Sequence, residues 1–318
     1  MTDPTDRVVA WLVAADPAIR WQVLRDLLDA PADDWEAERA GVETQGWGAR
    51  LLARQDPDGQ WAGGSFMPAE FTRQLWDQEG QPWTATAYAL TQLREFGLDP
   101  RGDRARRTVE LVGRHCRWDH HGQPFWTGEV EECINGRTVA DGAYFGVDVS
   151  PIVQRLVGER QPDGGWNCER ATGSVRSSFD TTINVLEGLL QYENATGGTP
   201  ASRAARAAGE EYLLQRSLFR RLSTGEPADP AMLDLVYPPR WHYTVLRALD
   251  YFRATGAPPD PRLAEAVELV RSRRRPDGRW SADRRLHGRV WFDLDDGPGQ
   301  PSPWITMQAL RVLRWWAP

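Results

Sequence analysis

The sequence predicts an all-α fold, a closed (α/α)6 toroid of six inner and six outer helices forming one domain over residues 1–318. Three observations predict it. A short phrase recurs: QDPDGQW from Gln55 to Trp61, QPDGGW from Gln161 to Trp166 and RRPDGRW from Arg274 to Trp280, with a looser copy, DHHGQPFW, from Asp119 to Trp126. Apolar, alanine-rich helical stretches follow these phrases or return at an equivalent interval, and charged amphipathic stretches lie between them. Tryptophan, at 16 residues, outnumbers Tyr (7) and Phe (9) taken separately, too many to be surface decoration.

The phrase reads as helix, tight turn, helix. Proline stops propagation, Asp-Gly makes the reversal, and tryptophan packs back between neighbouring helices. In chain order, a short outer helix over residues 8–15 leads to the first inner helix, PAIRWQVLRDLL from Pro17. The amphipathic stretch DDWEAERAGVETQGWGARLLARQ then forms an outer layer before PWTATAYALTQL opens the second inner helix at Pro82. CINGRTVADGAYF from Cys133 is the third and SFDTTINVLEGLLQY from Ser178 the fourth. RWHYTVLRALDYF from Arg240 is the fifth, followed by the outer stretch DPRLAEAVELVRSRRR, and SPWITMQALRVLRWW from Ser302 is the sixth. Closure leaves no end repeat in need of a cap, whereas an open solenoid would not place polar or aromatic first turns on every inner helix.

Hydrophobic residues at 41% and charged residues at 26% suit a globular protein. A net charge of −7 argues against nucleic-acid or anionic-membrane partners. The opening MTDPTDR lacks a secretory core and no apolar run spans a bilayer, which points to a cytoplasmic location. All 38 basic residues are arginine, suggesting a GC-rich bacterial source. Without lysine no side-chain Schiff base forms, so lysine-anchored pyridoxal phosphate is excluded, and no Walker-type loop announces a nucleotide cofactor. Three cysteines, Cys116, Cys133 and Cys168, make no disulfide framework and are free for packing, nucleophilic work or metal.

The Asp-Gly…Trp phrases resemble the QW motifs of squalene–hopene cyclases, and the ring resembles the single toroid of protein prenyltransferase β-subunits. The resemblance implies a site where the N-termini of the inner helices converge on one mouth of a central cavity, and a small, apolar, isoprenoid-like substrate. First-turn residues there include Trp83, Asn135, Asn184, Trp241, Tyr243 and Trp304 as substrate-binding candidates. Taken singly, each reads more simply as a helix cap or a packing residue. The resemblance leaves open a second subunit or a homo-oligomer.

Two chemistries follow from it. Squalene and class II diterpene cyclases carry their proton donor in a DxDD motif, and DLDD runs here from Asp293 to Asp296, making Asp295 the donor by analogy. At the family's own position for that motif, SSFDTT places Phe179 where the donor belongs and keeps only Asp180. Prenyltransferase β-subunits hold zinc with an Asp, a Cys and a His. Asp180 and His242 match the Asp and His, Thr182 replaces the Cys, and Cys168, in the loop feeding the fourth inner helix, offers a thiolate instead. Cys133 is a fourth ligand or a reactive thiol, since a helix N-terminus lowers a thiol's pKa. Such a mixed set, open to water or substrate, is what catalytic zinc uses. The cluster His115, Cys116, His120 and His121 is set aside as a solvated turn, and Glu129, Glu131 and Glu132 as partners of a helix dipole.

Three functions compete: a cyclase or transferase of isoprenoid-like substrates, a metal-dependent enzyme of other range, and a non-catalytic binder of hydrophobic ligands.

Overall fold

The computed structural model describes residues 4–317. Among them the chain is helical, with four isolated bridges and no strand, and no helix is long and apolar enough to cross a membrane. Its helices group into two compact units. The first comprises the described part of Met1–Ala49, Leu213–Leu286 and Phe292–Pro318. It holds α1 (Pro4–Val13), α2 (Pro17–Asp26) and α3 (Ala32–Ala40), with α12 (Val245–Ala254), α13 (Ala264–Ser272) and α14 (Pro303–Trp316) from the far end of the chain. The second comprises Arg50–Tyr212 and His287–Trp291. It holds α5 (Arg73–Glu79), α6 (Thr86–Phe96), α7 (Asp103–His115), α8 (Glu132–Tyr144), α9 (Ser150–Gly158) and α10 (Phe179–Thr196). The chain passes between units within α4 (Gly46–Leu52) and near the end of α11 (Pro200–Leu214).

The division into buried and surface helices is the one the sequence pattern predicts. Helices α2, α6, α8, α10, α12 and α14 bury half or more of their residues, while α7 buries only Ala105, Thr108 and Val112, and α13 only Ala266, Val267 and Val270. In the second unit α8 and α10 cross at Gly136 and Gly188, where a Cβ on Gly188 would lie 2.3 Å from the Gly136 carbonyl oxygen. Only glycine permits that approach.

The recurring phrase is one three-dimensional device. In each full copy the Asp-Gly glycine takes a left-handed conformation (Gly59, Gly164 and Gly278, φ +93°, +105° and +85°) that disfavours a side chain. The tryptophan indole then donates to a carbonyl ten residues back at the end of the preceding surface helix: Trp61 to Leu51 (2.9 Å), Trp166 to Leu156 (2.7 Å), Trp280 to Val270 (2.7 Å). Its own backbone N–H is accepted by a threonine hydroxyl on the next buried helix: Thr86 at 3.1 Å, Thr182 at 3.1 Å and Thr306 at 3.0 Å. All three rings are fully buried. Burying so much apolar area with no polar atom left over makes each copy a clamp between two helices.

The looser copy folds differently. Trp118 and Phe125 stack at 4.5 Å within a hairpin bridged between Arg117 and Pro124. A hairpin of the same bonding pattern bridges Arg220 and Pro227, a repeat the sequence hides because only Arg, Gly and Pro are shared.

Two inner helices start later than the sequence suggests. Thr244 is the N-cap of α12, its hydroxyl accepting from Arg247 N, so Trp241, His242 and Tyr243 precede the helix and do not form its first turn. Trp83 likewise precedes α6: its N–H donates to Arg289 O at 2.8 Å and its indole to His287 O at 2.9 Å, holding it extended against the segment 287–291. The short α5, capped by Thr72, was not foreseen because it buries no residue and so shows no apolar stripe.

Each unit also carries a buried charge network. In the first, Arg311 of α14 donates to Asp250 of α12 (Nε, 2.7 Å) and to Gln22 of α2 (3.0 Å), with Asp26 at 3.4 Å. In the second, Asp141 of α8 accepts from Thr91 (2.7 Å) and Arg94 (2.8 Å) of α6.

Candidate functional site

The start of α8 is built by three acidic residues and two sulfurs. Glu129 folds its carboxylate back onto the N–H groups of Val130 and Glu131, and Asn135 grips the Glu129 backbone from the other side, accepting from its N–H (2.7 Å) and donating to its carbonyl (2.8 Å). Asn135 is fully buried, and both ends of its amide are engaged in this grip. The loop after Trp166, a short 3-10 turn over Cys168–Thr172, is pinned to the helix start by Arg170, whose Nε donates to buried Glu132 at 2.7 Å.

These anchors bring the Cys133 thiol, the Cys168 thiol and a Glu131 carboxylate oxygen within 4.8 Å of one another. Both cysteines are half-buried and Glu131 is exposed. Cys133 Sγ lies 3.6 Å from Glu131 Oε2, and the Cys133 N–H points at Cys168 Sγ at 3.4 Å.

Electrostatics at Cys133 reverse the expectation from its helix position. Its thiol is held well above the ordinary cysteine value, first by its hydrogen bond to Cys168, then by burial, then by the negative charge that Cys168 and Glu131 would carry. The helix N-terminus does not compensate. Three groups that repel one another when ionised, two of them soft sulfurs, form a donor set suited to a divalent cation such as zinc, which supplies the missing positive charge. By donor chemistry the residues fit that ion.

Internal repetition isolates what is particular to this place. The residue two beyond the clamp tryptophan is Gly63 in the first copy and Ala282 in the last, but Cys168 here; the residue before the clamp threonine is Ala85 and Ile305 there, but Thr181 here. The fold therefore does not demand a thiol and a hydroxyl at these points.

The other candidates are not among these three donors. Asp180 opens α10 half-buried, its carbonyl accepting from Asn184 Nδ2 at 2.6 Å, and it is not one of the three clustered donors. His242 belongs to the first unit and stacks on Trp241 at 3.7 Å. The Tyr243 hydroxyl donates to Leu218 O at 2.7 Å, and Trp304 packs between Tyr237 (4.3 Å) and Trp47 (6.2 Å). His120 and His121 are exposed, edge to face. Glu131 is thus a donor of the cluster and not only a partner of the helix dipole, and its place two residues before Cys133 is the signal the sequence offers.

DLDD lies in the first unit on the wall of a cavity of about 600 Å³ that Trp11, Trp47, Asp16 and Pro303 also line. The Asp295 side chain is 5% exposed and is bonded to Arg285 Nη2 at 3.1 Å and to the N–H of Gly297 at 3.0 Å. Arg285 also pairs with Asp293 at 2.9 Å.

No family model and no curated protein matches the chain. Among solved structures it is similar to the apo form of the type II terpene cyclase MstE from Scytonema, with 13% identity over 87% of this chain and 97% of that one, at a TM-score of 0.30.

Proposed function

We propose that the chain is a metal-dependent enzyme acting on an apolar, isoprenoid-like small molecule, with Cys133, Cys168 and Glu131 as its zinc ligands. The observation that carries this reading is the convergence of two thiols and a carboxylate within 4.8 Å, at the one copy of the clamp where the repeat departs from apolar residues. The substrate class is supported by the resemblance of the Asp-Gly…Trp turns to QW motifs and by the number of tryptophans.

Three protein donors leave a tetrahedral ion one open position, the composition of a catalytic site as opposed to a structural one. Bound zinc would supply Lewis acidity there to a thiol, water or carbonyl oxygen. The chain's own residues do the positioning. Arg170 and Glu132 fix the loop that carries Cys168, and Asn135 fixes the turn that carries Glu131. The raised Cys133 thiol must release its proton when the ion binds, so metal uptake falls as pH falls.

A second reading is acid-initiated cyclisation with Asp295 as donor, favoured by its place on a tryptophan-walled cavity. Against that role, the Asp295 side chain is already engaged, its Oδ1 accepting from both Arg285 Nη2 and the Gly297 N–H.

Elemental analysis of protein purified without chelator should find about one zinc per chain, and Cys133→Ser and Cys168→Ser should each remove it. Metal-free wild type at every pH near neutrality overturns the reading. Asp295→Asn should retain both metal and turnover of polyprenyl substrates; lost turnover with full metal content favours the acid mechanism.

A further inference from the structure

We propose that Thr181 is the positioning residue of the metal centre, aiming the sulfur of Cys168 at the ion; this rests on the zinc reading above. The Thr181 hydroxyl has one proton and two acceptor lone pairs. Both acceptor positions are taken, by Ser178 Oγ at 2.8 Å and by the Cys168 N–H at 3.3 Å. Its proton is therefore directed to Cys168 Sγ, 3.3 Å away.

The same sulfur accepts the Cys133 N–H at 3.4 Å. That N–H belongs to the second residue of α8, one of the helix-start donors without an intrahelical partner, and the N-cap residue Glu131 makes no side-chain capping bond. Cys168 Sγ thus caps α8 from 35 positions along the chain and is held from two sides, by α8 through an amide and by α10 through a hydroxyl. Two donors leave the remaining sulfur lone pair a restricted direction, and Thr181 together with the Cys133 amide sets it.

The internal repeats argue against a role in folding alone. Ala85 and Ile305 stand at the position of Thr181 in the other two clamps, and those clamps form the same tryptophan and threonine bonds without a hydroxyl there. A neighbour bonded to a metal ligand orients it and tunes its donor strength, and removing such a group costs 10–100-fold in metal affinity as a rule.

The test titrates metal-free protein with Co²⁺ and follows the thiolate-to-cobalt charge-transfer band, with zinc competition for affinity, in wild type, Thr181→Val and Thr181→Ser. Thr181→Val should bind roughly 10–100-fold more weakly with a shifted band, and Thr181→Ser should restore both. Should Thr181→Val fail to fold by circular dichroism, Thr181→Ala replaces it against the same serine control. A valine or alanine variant with wild-type affinity and band, whether or not its metal-free melting point falls, overturns the inference and leaves the zinc reading standing. A wild type with no charge-transfer band overturns both.

Discussion

At the scale of single residues the three cysteines separate by environment. Cys116 is fully buried, and burial pushes its thiol up to about 12, with the nearby Asp119 and Asp58 adding to the effect and a bond to Thr86 opposing it. A thiol that stays protonated and enclosed is inert. Peptide mapping after iodoacetamide should therefore find Cys116 unlabelled until the protein is unfolded. Cys168 should be protected in zinc-loaded protein and labelled after chelation, with Cys133, whose thiol is raised, following more slowly. Labelling of Cys116 in the native state would contradict the burial argument. Cys133 and Cys168 were singled out in the sequence as chemistry-bearing residues. Their meeting was not legible, because it depends on the Glu132–Arg170 pair and the Glu129–Asn135 grip, interactions between side chains whose spacing follows no motif.

At the scale of elements the clamp is the unit that was legible and also the unit that can be tested. Pro, Asp-Gly and Trp each have one physical job in the turn, so the phrase announced itself; the threonine that completes it did not, since a lone Thr 16 to 26 residues downstream has no local signature. Thr86 and Thr306 each accept a buried tryptophan N–H and donate to a buried carbonyl, Gly64 at 2.6 Å and Trp280 at 3.3 Å respectively. Replacing either by valine leaves the tryptophan N–H unsatisfied, while the carbonyls keep backbone partners in Thr86 N and Ser302 N, and should cost about 1–3 kcal/mol in urea unfolding. Serine in the same place should recover most of the loss. The helix starts were misread for the same kind of reason: at Thr244 and at Trp83 the boundary is set by a cap and by a distant segment, neither of which alters the apolar periodicity.

At the scale of the whole molecule, the all-helical class and the alternation of buried and surface helices were readable from pattern alone, whereas the grouping into two units was not. Nothing in the composition distinguishes Ala49 from Arg50 as a boundary. The first unit depends on its buried ions. Burial alone would raise the carboxyls of Asp26 and Asp250; Arg25 beside the first and Arg311 beside the second outweigh it and hold both below the ordinary carboxylate value. Such groups stabilise the fold fully above the unfolded carboxylate value of about 3.9 and lose that contribution as pH falls through their lower folded values. Urea midpoints should therefore be flat near neutrality and fall progressively below about pH 4. Asp250→Asn should be less stable at neutral pH, because Arg311 is left without its main partner, and should show a shallower acid slope. An unchanged slope would mean that the network does not govern acid stability.

The short stretch from His287 to Trp291 has a consequence for how the chain is made. It belongs to the second unit although its neighbours on both sides belong to the first, and Trp83 gives it both an amide and an indole bond. Helix α2 must likewise wait for α14, which comes far later in the sequence. Neither unit is complete until the stretch from His287 through α14 has been synthesised, so the contacts of Trp83 and α2 with it form late, a natural demand for chaperone shelter and a reason why removing that stretch would damage both units at once.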